Sequence, residues 1–184
     1  MTTTTDKHTI TALVEDQPGV LNRISSMFRR RGYNISSLAV GQSETDGLSR
    51  MTFVVEGDPE TVEMVAKNLH KLVEVIKVVN ISSGNTVSRE LALVRVNADV
   101  TTRSEIMQIV DIFRAKIVDV SQGTLIVEVT GDENKVDSLV DLLRTFGVHE
   151  VMRTGTIAMS RGVSYEEDTH DEFKQPKISP ILIN

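Results

Sequence analysis

No cysteine and no tryptophan occur among the 184 residues, and aromatic side chains make up only 4% of them. Without cysteine there is no disulfide, no thiolate nucleophile and no sulfur-ligated metal, which suits a reducing compartment. Lys and Arg number 20 against 26 Asp and Glu, for a net charge of -6. That balance argues against a polyanion partner such as nucleic acid, because the one basic cluster, Arg29-Arg30-Arg31, falls where helix C-terminal cations belong. No apolar run approaches a membrane span, and Met1 to Lys7 has no apolar targeting core, so the expectation is a soluble, cytoplasmic chain. His8, His70, His149 and His170 lack an i, i+3 or i, i+4 ligand partner. Nucleotide-binding glycine loops and nucleophile elbows are missing too. No catalytic residue and no metal site is therefore expected.

What the sequence does contain is a marked strand-to-helix junction. Thr9 to Glu15 alternates Ile10, Ala12 and Val14 with polar residues, the pattern of a half-buried strand. Asp16-Gln17-Pro18-Gly19 follows. Val20, Leu21, Ile24, Met27 and Phe28 then fall on one helical face, and Gly32 stops the helix. A glycine at a helix N-terminus leaves backbone N–H groups open to an anion, and a carboxylate is the natural guest.

The remaining pattern is a unit used twice. Tyr33 to Gln42 and Leu48 to Glu56 read as a hairpin, Asp58 and Pro59 open a second helix, and Val73 to Ile81 reads as a fourth strand. Gly57-Asp58 recurs as Gly131-Asp132, a domain-sized offset of 131 - 57 = 74. The second copy predicts a strand at Leu91 to Val96, a capping box at Thr102-Arg103-Ser104-Glu105, and a hairpin of Ile117 to Val120 with Leu125 to Val129. A last helix runs from Val136 to Phe146, and one strand from Val148 to Met159 closes the unit. The expected fold class is α+β, two tandem ferredoxin-like βαββαβ domains. The domains are placed at 1–82 and 88–162, with a linker at 83–87 and an acidic tail at 163–184 that is expected to be disordered. The second strand-to-helix junction, Asn97 to Thr102, has no glycine, so it need not hold a ligand even if the first does.

Several runs carry a family resemblance. Asp16 to Leu21, Arg31 to Val40, Leu48 to Thr52 and Leu69 to Val73 resemble the small regulatory subunit of acetohydroxyacid synthase, also called acetolactate synthase, whose first domain is an ACT domain. Ser88 to Leu93, Ile112 to Ala115, Ile117 to Val120 and Ser160 to Gly162 are similar to that subunit's C-terminal domain, so the likeness spans about residues 8 to 162. The resemblance implies a non-catalytic subunit of branched-chain amino-acid biosynthesis. Its partner would be the large catalytic subunit, a transferase that forms acetolactate from two pyruvates. Thiamine diphosphate, Mg and FAD would sit on that partner and no cofactor on this chain. It further implies a homodimer through the ACT domains, with feedback inhibition by valine bound at their interface.

A valine zwitterion needs donors for its carboxylate, acceptors for its ammonium and a small apolar slot. The amides of Gly19 and Val20 would supply the first, Asp16 and Asn34 the second, and Leu21, Ile35 and Val40 the third. Asp16, which is Asn in some members, would otherwise cap the helix. Spacing leaves valine, leucine and isoleucine open, since one methylene changes apolar-pocket affinity by only about 1 to 3 kcal/mol. Other classes fit less well. An acylphosphatase needs an arginine in the first loop, and an RRM needs exposed aromatics on its central strands, where only Phe53 is near the right place. An ACT-type sensor serving a different enzyme would have the same fold and ligand chemistry.

Overall fold

The computed structural model describes residues 6–82 and 85–162, in the order β1 (Lys7–Glu15), α1 (Val20–Arg31), β2 (Ile35–Gln42), β3 (Leu48–Glu56), α2 (Pro59–Leu69), β4 (Val75–Asn80), then β5 (Thr86–Asn97), α3 (Arg103–Ile112), β6 (Lys116–Val120), β7 (Thr124–Gly131), α4 (Glu133–Arg144), β8 (Val148–Arg153) and β9 (Ile157–Ser160). Strands pair antiparallel in two sheets, β2-β3-β1-β4 and β6-β7-β5-β8. This is the α+β pair of βαββαβ units that the periodicity predicts. The acidic tail at 163–184 lies outside the described residues.

Each sheet buries one face. In the first unit Ile10, Phe53 and Val55 meet Ile24, Phe28, Val62 and Leu69, and Phe28 stacks on Phe53 with centroids 5.3 Å apart. In the second, Ala92, Val94, Val96 and Leu125 meet Ile106, Leu139 and Leu143. Side chains of this size contribute roughly 1.5 to 3 kcal/mol each when fully buried, so each unit holds its own helices. Asp58 accepts from the Thr61 amide (2.7 Å) and Asp132 from the Lys135 amide (2.8 Å), so the repeated Gly-Asp marks two capped helices.

One expected strand is two. Val148 to Met159 breaks at Thr154 to Thr156, where Gly155 adopts φ +82, and the chain beyond it pairs with Thr86–Arg89 as β9. That pairing draws Thr86 and Val87, assigned to the linker, into β5. The short ribbon then lies against the first sheet on the face away from its helices. Thr52 and Val54 point to that face yet are only 7% and 6% exposed, beside Ile157 to Met159 and Thr154 to Thr156 respectively.

Candidate functional site

Two neighbouring loops hold the backbone as it leaves β1. The Glu15 amide donates to the Glu74 carbonyl (2.9 Å) and the Asp16 amide to the Gly47 carbonyl (2.8 Å). Gly19 then takes the N-cap position of α1 at φ +93 and ψ -12, a left-handed conformation that suits only glycine without strain. A Cβ built there meets nothing within 4 Å, so the residue is required by its backbone and the space beside it is open.

No side chain caps α1. Asp16 is exposed, and its carboxylate forms no hydrogen bond with the described residues. The alternative that it caps the helix is thereby corrected. The Val20 amide, expected in the carboxylate cradle, is instead used by the Gln17 carbonyl at 3.3 Å. The Arg23 amide donates to the Gly19 carbonyl at 2.9 Å, the first bond of the helix. The amides of Gly19, Leu21 and Asn22 are left without an acceptor among the described residues, so the open donors lie further into the helix than the sequence suggests.

The other candidate residues divide between this turn and elsewhere. The Val20 side chain is 6% exposed and packs in the first core, and Ile35, expected in the slot, is half-buried against that core. Leu21 and Val40 present apolar surface, at 47% and 51% exposure. Asn34 is exposed and lies at the far end of the sheet. It precedes Ile35, which is level with Val55 and His8, whereas Asp16 follows Glu15, level with Leu48. Seven strand steps from His8 to Glu15, at about 3.3 Å each, separate the two levels by roughly 23 Å. A single chain therefore does not bring Asn34 to Asp16 and Gly19.

The loop of the second junction is held by its own side chains, while the Ser104 and Glu105 amides, like those of Leu21 and Asn22, have no acceptor among the described residues. Asp99 Oδ1 accepts from the amides of Thr101 and Thr102 (2.8 Å each) and from their hydroxyls (2.6 and 3.0 Å). These bonds, the Thr101 hydroxyl foremost, hold the carboxyl down at about 2. The expected capping box is thus an Asp99 turn instead, and Thr102 makes no side-chain cap. Arg103 fills the remaining space, its Nη2 donating to the carbonyls of Ala98 (3.1 Å), Ser121 (2.8 Å) and Gln122 (3.2 Å). Sequence reasoning missed both residues, although Asp-x-Thr-Thr before a helix is a recognisable turn signature.

Two crevices lie between the units. One is an apolar groove of about 340 Å³ where Ala39 of β2 and Thr52 of β3 face Val87, Ile157 and Met159, with Val40 at its rim. The other, about 300 Å³, is polar and lined by Lys7, Ser36, Ser37, Glu90, Glu133, Arg153 and Thr154 to Thr156. Glu90 is 5% exposed, and burial raises its pKa against the pull of Arg153, which bonds it at 3.2 Å and also reaches Asp137. Lys7 bonds Glu133 across the two units. Among the described residues no cluster of His, Asp or Glu could hold a metal, and no helix is long and apolar enough to cross a membrane.

Known proteins share both halves of this architecture. A family model described as an AHAS small subunit-like ACT domain matches residues 10–77, and one described as the small subunit of acetolactate synthase matches residues 89–162. A probable acetolactate synthase small subunit of Archaeoglobus fulgidus is 56% identical over 156 residues, covering 85% of this chain and 98% of that protein. The acetolactate synthase small subunit of Mycolicibacterium smegmatis is 49% identical over 162 residues, covering 88% and 95%. The crystal structure of the acetolactate synthase small subunit from Thermotoga maritima superposes with a TM-score of 0.80 at 45% identity, covering 86% of this chain and 99% of that one.

Proposed function

The chain belongs to the family of acetolactate synthase small subunits, with an ACT domain as its first unit, and from that premise we propose that it raises the activity of a thiamine-diphosphate-dependent catalytic subunit and makes that enzyme sensitive to valine. It works as a homodimer in the cytoplasm, with valine in the seam between two ACT domains. Thiamine diphosphate, Mg and FAD belong to the catalytic subunit and none to this chain.

The observation that carries this reading is an uncapped helix start beside an unguarded sheet edge. Among the described strands that pair on one side only, β2 is the long one without a charged residue: its sequence is Ile-Ser-Ser-Leu-Ala-Val-Gly-Gln, while β4 has Lys77, β6 has Lys116 and Asp119, β8 has Glu150 and Arg153, and the uncharged β9 is four residues long. Charge is the usual protection of an edge against another strand, so β2 is suited to pair with a second copy of itself. Antiparallel pairing about a two-fold axis near the middle of β2 sets Asn34 of the second copy level with the Val40 to Gln42 end of this one. The two groups of effector residues, some 23 Å apart in one chain, then converge across the seam.

In that arrangement the amides of Gly19, Leu21 and Asn22 take the valine carboxylate at the positive end of α1. Asp16 and Asn34 of the second copy accept from its ammonium, and Leu21 and Val40 flank its isopropyl group. Valine shifts the enzyme only insofar as it binds the inhibiting arrangement more tightly than the active one, typically by about 1 to 3 kcal/mol. Reconstitution tests this. The catalytic subunit assayed with and without this chain, across a valine titration, should gain activity from the chain and lose it to valine only when the chain is present. Valine inhibition of equal strength without the chain, or no activation by it, would overturn the reading.

A further inference from the structure

β2 is gripped from the second unit at its centre. The Thr156 amide, on a residue 9% exposed, donates to Ser37 Oγ at 2.8 Å. Beside it Gly155 approaches β2 so closely that a Cβ would lie 2.8 Å from the Leu38 carbonyl oxygen and 3.0 Å from Ser37 Oγ. The turn that delivers these two residues is itself fixed to the second sheet. Thr154 exchanges bonds with Leu91, its amide donating to the Leu91 carbonyl (3.0 Å) and its hydroxyl accepting from the Leu91 amide (3.1 Å). Arg153 is anchored on Glu90 and Asp137. The second unit thus holds the turn rigidly while the turn rests on β2.

The stretch of β2 it rests on follows directly on an irregularity in the ladder. A register shift falls between Ile35 and Ser37, a bulge that frees the strand locally from β3. Asn34 and Ile35 precede the contact and Val40 follows it. Any displacement of β2 by a ligand must pass through Ser37 and Leu38.

On the reading that β2 carries effector contacts, we infer that the Gly155-Thr156 turn seated on Ser37-Leu38 is the element that couples effector occupancy in the first unit to the position of the second. A packed contact of this kind has discrete arrangements rather than continuous play, so a small shift at β2 moves the turn and the sheet behind it as one body. Ser37, Gly155 and Thr156 touch no effector in this scheme. They are positioning residues.

The test compares the full-length wild type with Gly155→Ala, Ser37→Ala and a control, Gly162→Ala. Gly162 has φ +61 and open space around a built Cβ, so it reproduces the backbone strain without the contact. Each is measured for valine binding by calorimetry, and for activation and valine inhibition of the catalytic subunit. Gly155→Ala should bind valine within about threefold of wild type and activate normally, yet leave most of the activity standing at saturating valine. Ser37→Ala should lose part of the inhibition, and Gly162→Ala none. Full inhibition in both Gly155→Ala and Ser37→Ala overturns the coupling role, as does loss of inhibition that merely follows loss of binding. Should Gly155→Ala not fold, Ser37→Ala decides alone, with full inhibition counting against. A wild-type chain that gives no valine heat overturns the effector reading itself and this inference with it.

Discussion

After β1 the chain enters α1 through Asp16-Gln17-Pro18-Gly19, and after β5 it enters α3 through Ala98-Asp99-Val100-Thr101-Thr102, on the same scaffold and at the same place in it. At the second entry Asp99 and Arg103 occupy the loop, with one carboxylate oxygen taking four hydrogen bonds and the two hydrogens of Arg103 Nη2 shared among three carbonyls, while the buried Nε of Arg103 has no partner among the described residues. At the first, a left-handed glycine turns the chain without a side chain, the Asp16 carboxylate stands unbonded, and the amides of Gly19, Leu21 and Asn22 have no acceptor among the described residues. The two helix starts differ at the N-cap, where the Gly19 amide has no acceptor among the described residues and the Thr102 amide is held by Asp99; the two amides that follow the first turn's N1 residue, Leu21 and Asn22 in α1 and Ser104 and Glu105 in α3, lack one in both. Exposed amides at the positive end of a helix are met by water until a carboxylate takes its place.

The sharpest way to break the contrast is Gly19→Asp. Its carboxylate enters the open space beside the free amides and competes with the ligand for them, so the apparent valine constant should rise about 100-fold, near 2.7 kcal/mol, with activation intact. Gly19→Ala adds only a methyl and backbone strain of about 1 kcal/mol, and should weaken valine by less than tenfold. Equal loss in the two would mean that the turn's shape, not its donors, does the binding.

The converse change is Arg103→Met, which keeps the stem and removes the donors to three carbonyls. It should destabilise the chain by about 2 kcal/mol in urea unfolding and leave the valine constant alone. A coupled loss of valine affinity would break the comparison. Asp16→Asn should be milder, weakening valine by up to about tenfold, roughly 1 kcal/mol, while stability stays within about 0.5 kcal/mol because the carboxylate bonds nothing in the chain. A large drop in stability would show that Asp16 serves its own helix after all.

The smallest effect is one of pH. The folded Asp99 carboxyl titrates at about 2 against an ordinary 3.8, so its stabilisation is complete above about pH 4 and is lost as pH falls towards 2. Asp99→Asn should flatten the decline in melting temperature over that window. Curves that run parallel to wild type would contradict the assignment of Asp99 as the groups' shared acceptor.

Much of this was legible in residue order. Period-two and period-3.6 patterns place every helix, and the recurrence of Gly-Asp exposes the duplication, because capped helices and half-buried strands leave local signatures. Gly19 and Asp16 were equally visible as an unusual junction. What local pattern does not carry is long-range geometry. The Val20 amide is claimed by a carbonyl three residues back, Ile35 turns to the core, and Asn34 lies a strand length from the residues it was grouped with. The break at Gly155 was hidden within an apolar run that read as one strand, since only its pairing with Thr86–Arg89 separates β9 from β8. Arg103 shows no periodic signal, for its partners Ser121 and Gln122 come from a hairpin distant in sequence.

The central claim is that the open start of α1, and not that of α3, receives the amino acid. Amide chemical shifts of the isotope-labelled full-length chain, followed through a valine titration, test it residue by residue. Gly19, Leu21 and Asn22 should move together and saturate while Thr101 to Ser104 stay fixed. Saturation with those first amides unmoved, or movement centred on the second junction, would contradict it.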